Sequence, residues 1–201
     1  MVNGRPPGPQ SRHGRPTHRR AAPENPYHPA VVSLPIVTPR LRIRPFEPGD
    51  AGPMMEIYGD PEVMRYIPGG PLPDEHAVQK IMDEQLVAHA ARGYAYYLVE
   101  LVDGGTVVGD AGFGLFEPTG DVEVGYTFAR RAWGRGYATE AAAACLAAGL
   151  AGLDVPRIIA VADVENVASH RVAERIGMRR DGEIEAHGRP HVVFVAERTA
   201  A

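Results

Sequence analysis

Val122-Glu123-Val124-Gly125-Tyr126-Thr127-Phe128-Ala129-Arg130-Arg131-Ala132-Trp133-Gly134-Arg135-Gly136-Tyr137-Ala138-Thr139-Glu140 is the stretch on which the fold turns. Its first half alternates. Val122, Val124, Tyr126 and Phe128 fall on one face of a strand, and Glu123, Gly125 and Thr127 on the other. After two glycines the composition switches to the Ala-rich run ending at Leu153, which favours a helix and has almost no polar face, as expected for a helix packed on a sheet. A strand therefore runs through a Gly- and Arg-rich turn into a helix. The first helical N–H groups lack intrahelical partners, the dipole end is positive, and glycines admit a ligand close to the backbone, so this junction is a candidate anion seat. No Gly-Lys-Ser/Thr follows and no third glycine stands at dinucleotide spacing, which leaves neither a P-loop nor a dinucleotide fingerprint.

Upstream, Leu41, Ile43 and Phe46 alternate with arginines as a first strand. Asp50 is placed as the N-cap of a short helix carrying Met54, Met55, Ile57 and Tyr58. A second helix runs from Asp74 to Ala91 with Val78, Ile81, Met82, Gln85, Leu86 and Ala90 along one side. The intervening Pro68–Pro73 loop is a candidate lid. Strands at Ala95–Leu101, Thr106–Phe116 and Val122–Phe128 form an antiparallel meander. Beyond the Ala-rich helix come a buried strand at Arg157–Ala162, a helix at Ala168–Ile176, and strands at Met178–Ile184 and His191–Val195. The class is α+β.

The chain has 201 residues, 44% hydrophobic and 23% charged, which suits a globular domain and excludes global disorder. No apolar run is long enough for a transmembrane helix. Cys145 is the one cysteine, which rules out an internal disulfide and makes a reducing cytoplasm the default. The net charge of -4 is unevenly spread. Residues 1–35 hold five arginines against Glu24 and eight of the 19 prolines, so they carry +4 and the remainder -8. This segment reads as a disordered leader, with the domain spanning residues 36–201; scattered arginines without aromatics support nucleic-acid binding only weakly. No histidine pair has helical metal-ligand spacing, and Ser169-His170 point about 100° apart on a helix, so neither a metal centre nor a hydrolase pair is expected.

Arg131-x-x-Gly134-x-Gly136 resembles the pyrophosphate motif of the GCN5-related N-acetyltransferases. The likeness extends to Thr38-Pro39-Arg40-Leu41, Arg44-Pro45-Phe46, Asp60 to Tyr66, Glu123-Val124-Gly125-Tyr126, Trp133 to Ala141, and Asn166 to Ser169 with Gly177-Met178. Together these are similar to the RimJ/RimL-type branch over about residues 38–197. The resemblance implies a GNAT fold: a mixed sheet of about seven strands, four helices, and a splayed strand pair forming an acetyl-CoA cleft. It implies a cytoplasmic enzyme, monomer or homodimer, that moves an acetyl group from acetyl-CoA to a primary amine. The donor's pyrophosphate would meet Arg130, Arg131, Trp133, Gly134, Arg135, Gly136 and the helix start at Tyr137, Ala138 and Thr139. Its pantetheine arm would lie along the strand edge from Val124, with the oxyanion near the N–H groups of Tyr126 to Phe128 and Asn166 holding the arm.

Asn166 is equally well placed as a plain N-cap. Glu123 is either a solvent-facing strand glutamate or, if its face lines the cleft, the base that takes the acceptor's proton. The tyrosine that many family members place seven residues after the asparagine is here Ala173. Ser169 is then the nearest donor to the sulfur, and the general acid stays unassigned. Tyr58, Tyr66 and His76 would sit on the acceptor side. A CoA-binding regulatory module without turnover is the alternative.

Overall fold

The computed structural model describes residues 31–198. Twelve regular elements follow in chain order: β1 (Ile36–Val37), β2 (Leu41–Arg44), α1 (Ala51–Tyr58), α2 (Glu75–Arg92), β3 (Tyr96–Leu101), β4 (Val107–Phe116), β5 (Asp121–Phe128), α3 (Tyr137–Gly152), β6 (Arg157–Asp163), α4 (Val167–Arg175), β7 (Arg179–Ala186) and β8 (Arg189–Glu197). The strands form one eight-stranded sheet in the order β1-β2-β3-β4-β5-β6-β8-β7. This is the expected mixed sheet with four helices, one strand richer because β1 pairs Ile36 with Ile43. The meander from β2 to β5 is antiparallel throughout.

The one parallel pair decides the shape. β5 and β6 pair only at Val122 with Ile158 and Glu123 with Ile159, after which the strands part. Ala129 N–H bonds Val108 O at 2.9 Å, which fixes the alternation along β5. Residues 123, 125, 127 and 129 bond to β4, so the N–H groups of Val124, Tyr126 and Phe128 face the opening. The predicted splay and its open edge are therefore present.

Alternation also sorts the two faces. Asp110, Gly112 and Gly114 of β4 stand opposite Thr127, Gly125 and Glu123 of β5, on the face where Tyr58 of α1 meets Asp110. Phe113, on the other face, packs under α3 at Gly149. Leu41, Ile43, Met54, Ile57, Met82, Leu98, Phe113, Ile158 and Phe194 are fully buried in the core around the sheet.

Three expectations need adjustment. Asp50 stands at the N-cap position of α1, but its carboxylate makes no capping bond. Arg44 takes both of its oxygens, Nη1 to Oδ2 at 2.8 Å and Nη2 to Oδ1 at 3.0 Å, because a bidentate fork to a guanidinium outcompetes a single bond to a backbone N–H. Leu86 is 43% exposed, and Ala90 is exposed too, so α2 buries Val78 and Met82 over its first half only. Asp74 does cap α2, accepting from Ala77 N at 2.9 Å. The boundary expected at residue 35 falls late, since Val32 is 1% exposed and bonds Gly93 O. The rest of the expected leader, residues 1–30, lies outside the described residues. In the final hairpin the second member inserts, so that β8 and not β7 lies beside β6.

Candidate active site

The anion seat is built from the turn between β5 and α3. Gly134 and Gly136 adopt φ of +71° and +79°, a left-handed backbone that side chains rarely take, and no atom lies within 4 Å of where a Cβ at Gly134 would stand. Gly136 is also the N-cap of α3 and has no side chain to offer. The first intrahelical bond is Glu140 N–H to Gly136 O, which leaves the N–H groups of Tyr137, Ala138 and Thr139 at the positive end of a 16-residue helix. Residues 130, 131 and 133 to 136 are exposed. The seat is a surface cradle.

The arginines are disposed less simply than their spacing suggests. Arg131 turns back, giving Nη2 to Val107 O at 2.9 Å and Nη1 to Glu56 at 3.3 Å, and Arg130 lies 3.9 Å from Asp60. Such exposed pairs are weak, so an anion of high charge can draw these groups over. Trp133, half exposed, donates its indole N–H to Phe128 O at 2.7 Å and thereby fixes the turn to the end of β5. A fourth arginine arrives from far away in the chain. Arg40 donates to Arg135 O at 2.9 Å, lies 4.7 Å over the Tyr137 ring, and pairs with Glu140. Glu140 also accepts from the Thr38 hydroxyl at 2.6 Å, and these partners hold its carboxyl below the usual range despite some burial. It is a brace.

A second cluster occupies the fork and the face beside it. The Glu123 side chain fills the crotch just beyond the last paired rung, where Oε1 accepts from Val161 N–H of β6 at 3.3 Å. That N–H is one of the donors orphaned when the strands part. Burial outweighs this bond and pushes the Glu123 carboxyl up to about 7, against an ordinary 4.5. The solvent-facing alternative is thus set aside by the geometry. Asp110, 2% exposed, accepts from the Tyr58 hydroxyl at 2.9 Å and from Thr127, yet burial raises it to about 7 as well. Tyr58 is therefore a buried support beneath the face and not a surface contact.

The other nominated residues are spread more widely. Tyr126 reaches across the opening to donate its hydroxyl to Ser169 O of α4 at 3.4 Å, and burial raises the phenol to about 12. This bond ties β5 to α4. Asn166 caps α4, with Oδ1 accepting from Ser169 N–H at 3.2 Å. Tyr66, in a 3-10 turn after α1, has Arg65 at 5.3 Å and Arg189 of the final hairpin at 6.0 Å from its ring, so the loop before α2 meets the hairpin. His76 is exposed on the first turn of α2. Ala173 is buried, and Cys145 is a fully buried core thiol of α3.

Sequence reasoning passed over Arg40, Asp110 and Tyr96 as site residues. Asp110 carries the one signal that was there to find: a carboxylate within an otherwise apolar and glycine strand, Val107 to Phe116.

Comparison with known proteins agrees with this architecture. Residues 40–179 match the family model described as the acetyltransferase (GNAT) domain. The uncharacterized N-acetyltransferase YnaD of Bacillus subtilis (strain 168) is 35% identical over 147 residues, covering 73% of this chain and 84% of that protein. The crystal structure of a GNAT-family acetyltransferase from Bacillus anthracis superposes with a TM-score of 0.73 at 31% identity, covering 83% of this chain and all of the other. RimL, a ribosomal L7/L12 alpha-N-protein acetyltransferase solved with coenzyme A, shares the fold at a TM-score of 0.70 and 19% identity, over 82% of this chain and 98% of its own. An open anion seat at a helix start, a forked β5–β6 pair with a free strand edge, and a family match over most of the described residues converge: the chain belongs to the GNAT acetyltransferases and is an acyltransferase.

Proposed function

We propose that the protein transfers the acetyl group of acetyl-CoA to a primary amine, a protein N-terminus or a small molecule, by direct attack with Glu123 as base. One observation carries the reading. Glu123 is a desolvated carboxylate raised to about 7, set at the fork where the edge of β5 becomes free. An amine arrives as ammonium, since α-amines titrate near ~8 and lysines near ~10.4, and a base poised near neutrality suits the removal of that proton.

The donor substrate fits the remaining features. Its pyrophosphate suits the cradle of Gly134, Gly136 and the N–H groups of Tyr137 to Thr139, with Arg130, Arg131, Arg135 and Arg40 in reach. Its pantetheine amides suit the free edge from Val124 to Phe128, as an added strand. The N–H groups of Tyr126 and Phe128 are aimed to stabilise the oxyanion. With Oδ1 of Asn166 engaged by Ser169 N–H, the NH₂ of its amide is the end that would hold the arm. The Ser169 hydroxyl is the nominated donor to the departing sulfur. Tyr66, His76 and the Pro68–Pro73 loop would shape acceptor choice, with Tyr58 supporting them from below. The RimJ/RimL likeness, carried by sequence motifs, favours a protein N-terminus; the single, buried cysteine suits a cytoplasmic enzyme.

Free-thiol release from acetyl-CoA, measured across a panel of N-terminal peptides and small amines, tests this. Turnover with at least one primary amine is expected, with kcat lowered roughly 10²-fold or more in Glu123→Gln and acetyl-CoA affinity retained. No turnover with any amine would replace the proposal by a CoA-binding regulatory module.

A further inference from the structure

Three glycines clear the sheet face next to Glu123, and one aromatic ring occupies the space. Tyr96 begins on β3, opposite Gly112 of β4. Its ring crosses β4 and reaches β5: a Cβ at Gly114 would lie 3.3 Å from Tyr96 Oη, and one at Gly125 only 2.6 Å away. Neither glycine has a left-handed backbone, so what each position requires is the missing side chain. The hydroxyl therefore rests above Gly125, between Glu123 on one side and Thr127 with its partner Asp110 on the other.

The hydroxyl is poised but not committed. Tyr96 N–H bonds Gln85 Oε1 at 3.1 Å, whereas the hydroxyl takes no hydrogen-bond partner among the described residues. Burial, then the Glu123 and Asp110 carboxylates, raise this phenol well above its ordinary value, so it keeps its proton at any working pH. Asp110 already accepts from Tyr58 and Thr127, and Cys145 lies on the opposite face of the sheet within α3. Glu123 is the neighbour with an oxygen to spare, since Val161 N–H engages Oε1 alone.

We infer that Tyr96 is a further catalytic residue, whose hydroxyl accepts a proton from the acceptor's ammonium while passing its own proton to Glu123. The step balances: one N–H bond breaks, one O–H bond forms on the Glu123 carboxylate, and Tyr96 ends as it began. Asp110 is a positioning residue in this arrangement. It anchors Tyr58 and Thr127, and its charge when ionised favours a phenol oxygen that receives a proton. The inference rests on Glu123 being the base, and Gly114 and Gly125 are the space that makes it workable.

Tyr96→Phe, Glu123→Gln and the double variant, assayed for kcat, KM and acetyl-CoA affinity across pH, test it. Tyr96→Phe is expected to lower kcat by roughly tenfold with acetyl-CoA affinity unchanged. Its kcat limb should move to higher pH, because the ionised Glu123 loses a donor in the ternary complex. The double variant should be no worse than Glu123→Gln, as for groups that act as one unit. Gly125→Ala, which displaces the hydroxyl and leaves both functional side chains in the chain, should mimic Tyr96→Phe and add little to it. Wild-type kcat in Tyr96→Phe, or losses that multiply fully in the double variant, would overturn the relay and leave Glu123 as a direct base. Wild-type kcat in Glu123→Gln would instead overturn the base itself.

Discussion

The Gly- and Arg-rich cradle at the end of β5 and the face around Glu123 are made differently. The cradle is one contiguous segment, Arg130 to Thr139, largely exposed to water and dependent on backbone N–H groups, left-handed glycines and weakly paired arginines. The Glu123 face draws buried Tyr58 and Asp110 and half-buried Tyr96 and Glu123 from α1, β4, β3 and β5 into one patch, where burial raises two carboxyls to about 7. An exposed site can hold a strongly anionic substrate because water and flexible cations share its charge. A buried site can tune a base because water is excluded. The division suits a reaction in which one partner needs holding and the other needs a proton removed.

The largest expected effect lies on the buried side. Glu123→Gln should lower kcat by roughly 10² or more with acetyl-CoA affinity near wild type by calorimetry. In the wild type, kcat/KM should rise with pH through about 7 as Glu123 ionises, and the variant should lose that limb. Parallel losses of binding and turnover would mean that the two regions are not separable.

Next in size is the cradle. Gly136→Val should weaken acetyl-CoA binding by more than roughly tenfold, because a branched side chain opposes a φ of +79° and fills the approach to the helix start. The kcat measured at saturating donor should change far less. Unchanged affinity in a folded variant would remove the cradle from the binding site.

Salt should then tell the regions apart more gently. Raising ionic strength towards ~0.5 M screens the exposed arginines and should weaken acetyl-CoA binding a few-fold, while the pH limb set by buried Glu123 stays in place. Equal sensitivity of both would show the acceptor face to be wetter than its burial implies.

The smallest signal is in stability. Glu123 and Asp110 have folded-state values raised above their ordinary ones, so the folded protein binds more protons than the unfolded between about pH 4 and 7. Their contribution to stability is fully present below about pH 4 and is lost as pH rises through about 7. Asp110→Asn should flatten that decline in chemical denaturation curves measured across pH. An unaltered slope would show that Asp110 keeps its ordinary acidity.

Much of this was legible in the chain itself. The alternation of Val122 to Phe128, the two glycines and the Ala-rich run fixed a strand, a turn and a buried helix in order, because local periodicity and backbone preference are properties of adjacent residues. The meander, the start of α2 near Asp74 and the face on which Glu123 stands follow from the same local rules. The cradle was readable for the same reason, being made of consecutive residues.

Other features required the tertiary structure. Asp50 looked like a cap until Arg44 was brought to it, and Leu86 looked like core until α2 was laid on the sheet with Gln85 and His89, not Leu86, turned to β3. Arg40 and Glu140 stand 100 residues apart yet brace the same helix start. Glu123 could be assigned to a face by alternation, but its acidity could not be read, since that depends on where β6 leaves β5 and which N–H it leaves behind. Tyr96 gave no local sign at all. Its place is set by the absence of side chains at Gly114 and Gly125 on two other strands. The sequence by itself determined which elements form and which face each residue takes; only the tertiary structure decided which charges meet and which are stripped of water, because desolvation and long-range pairing depend on distance in space and not along the chain.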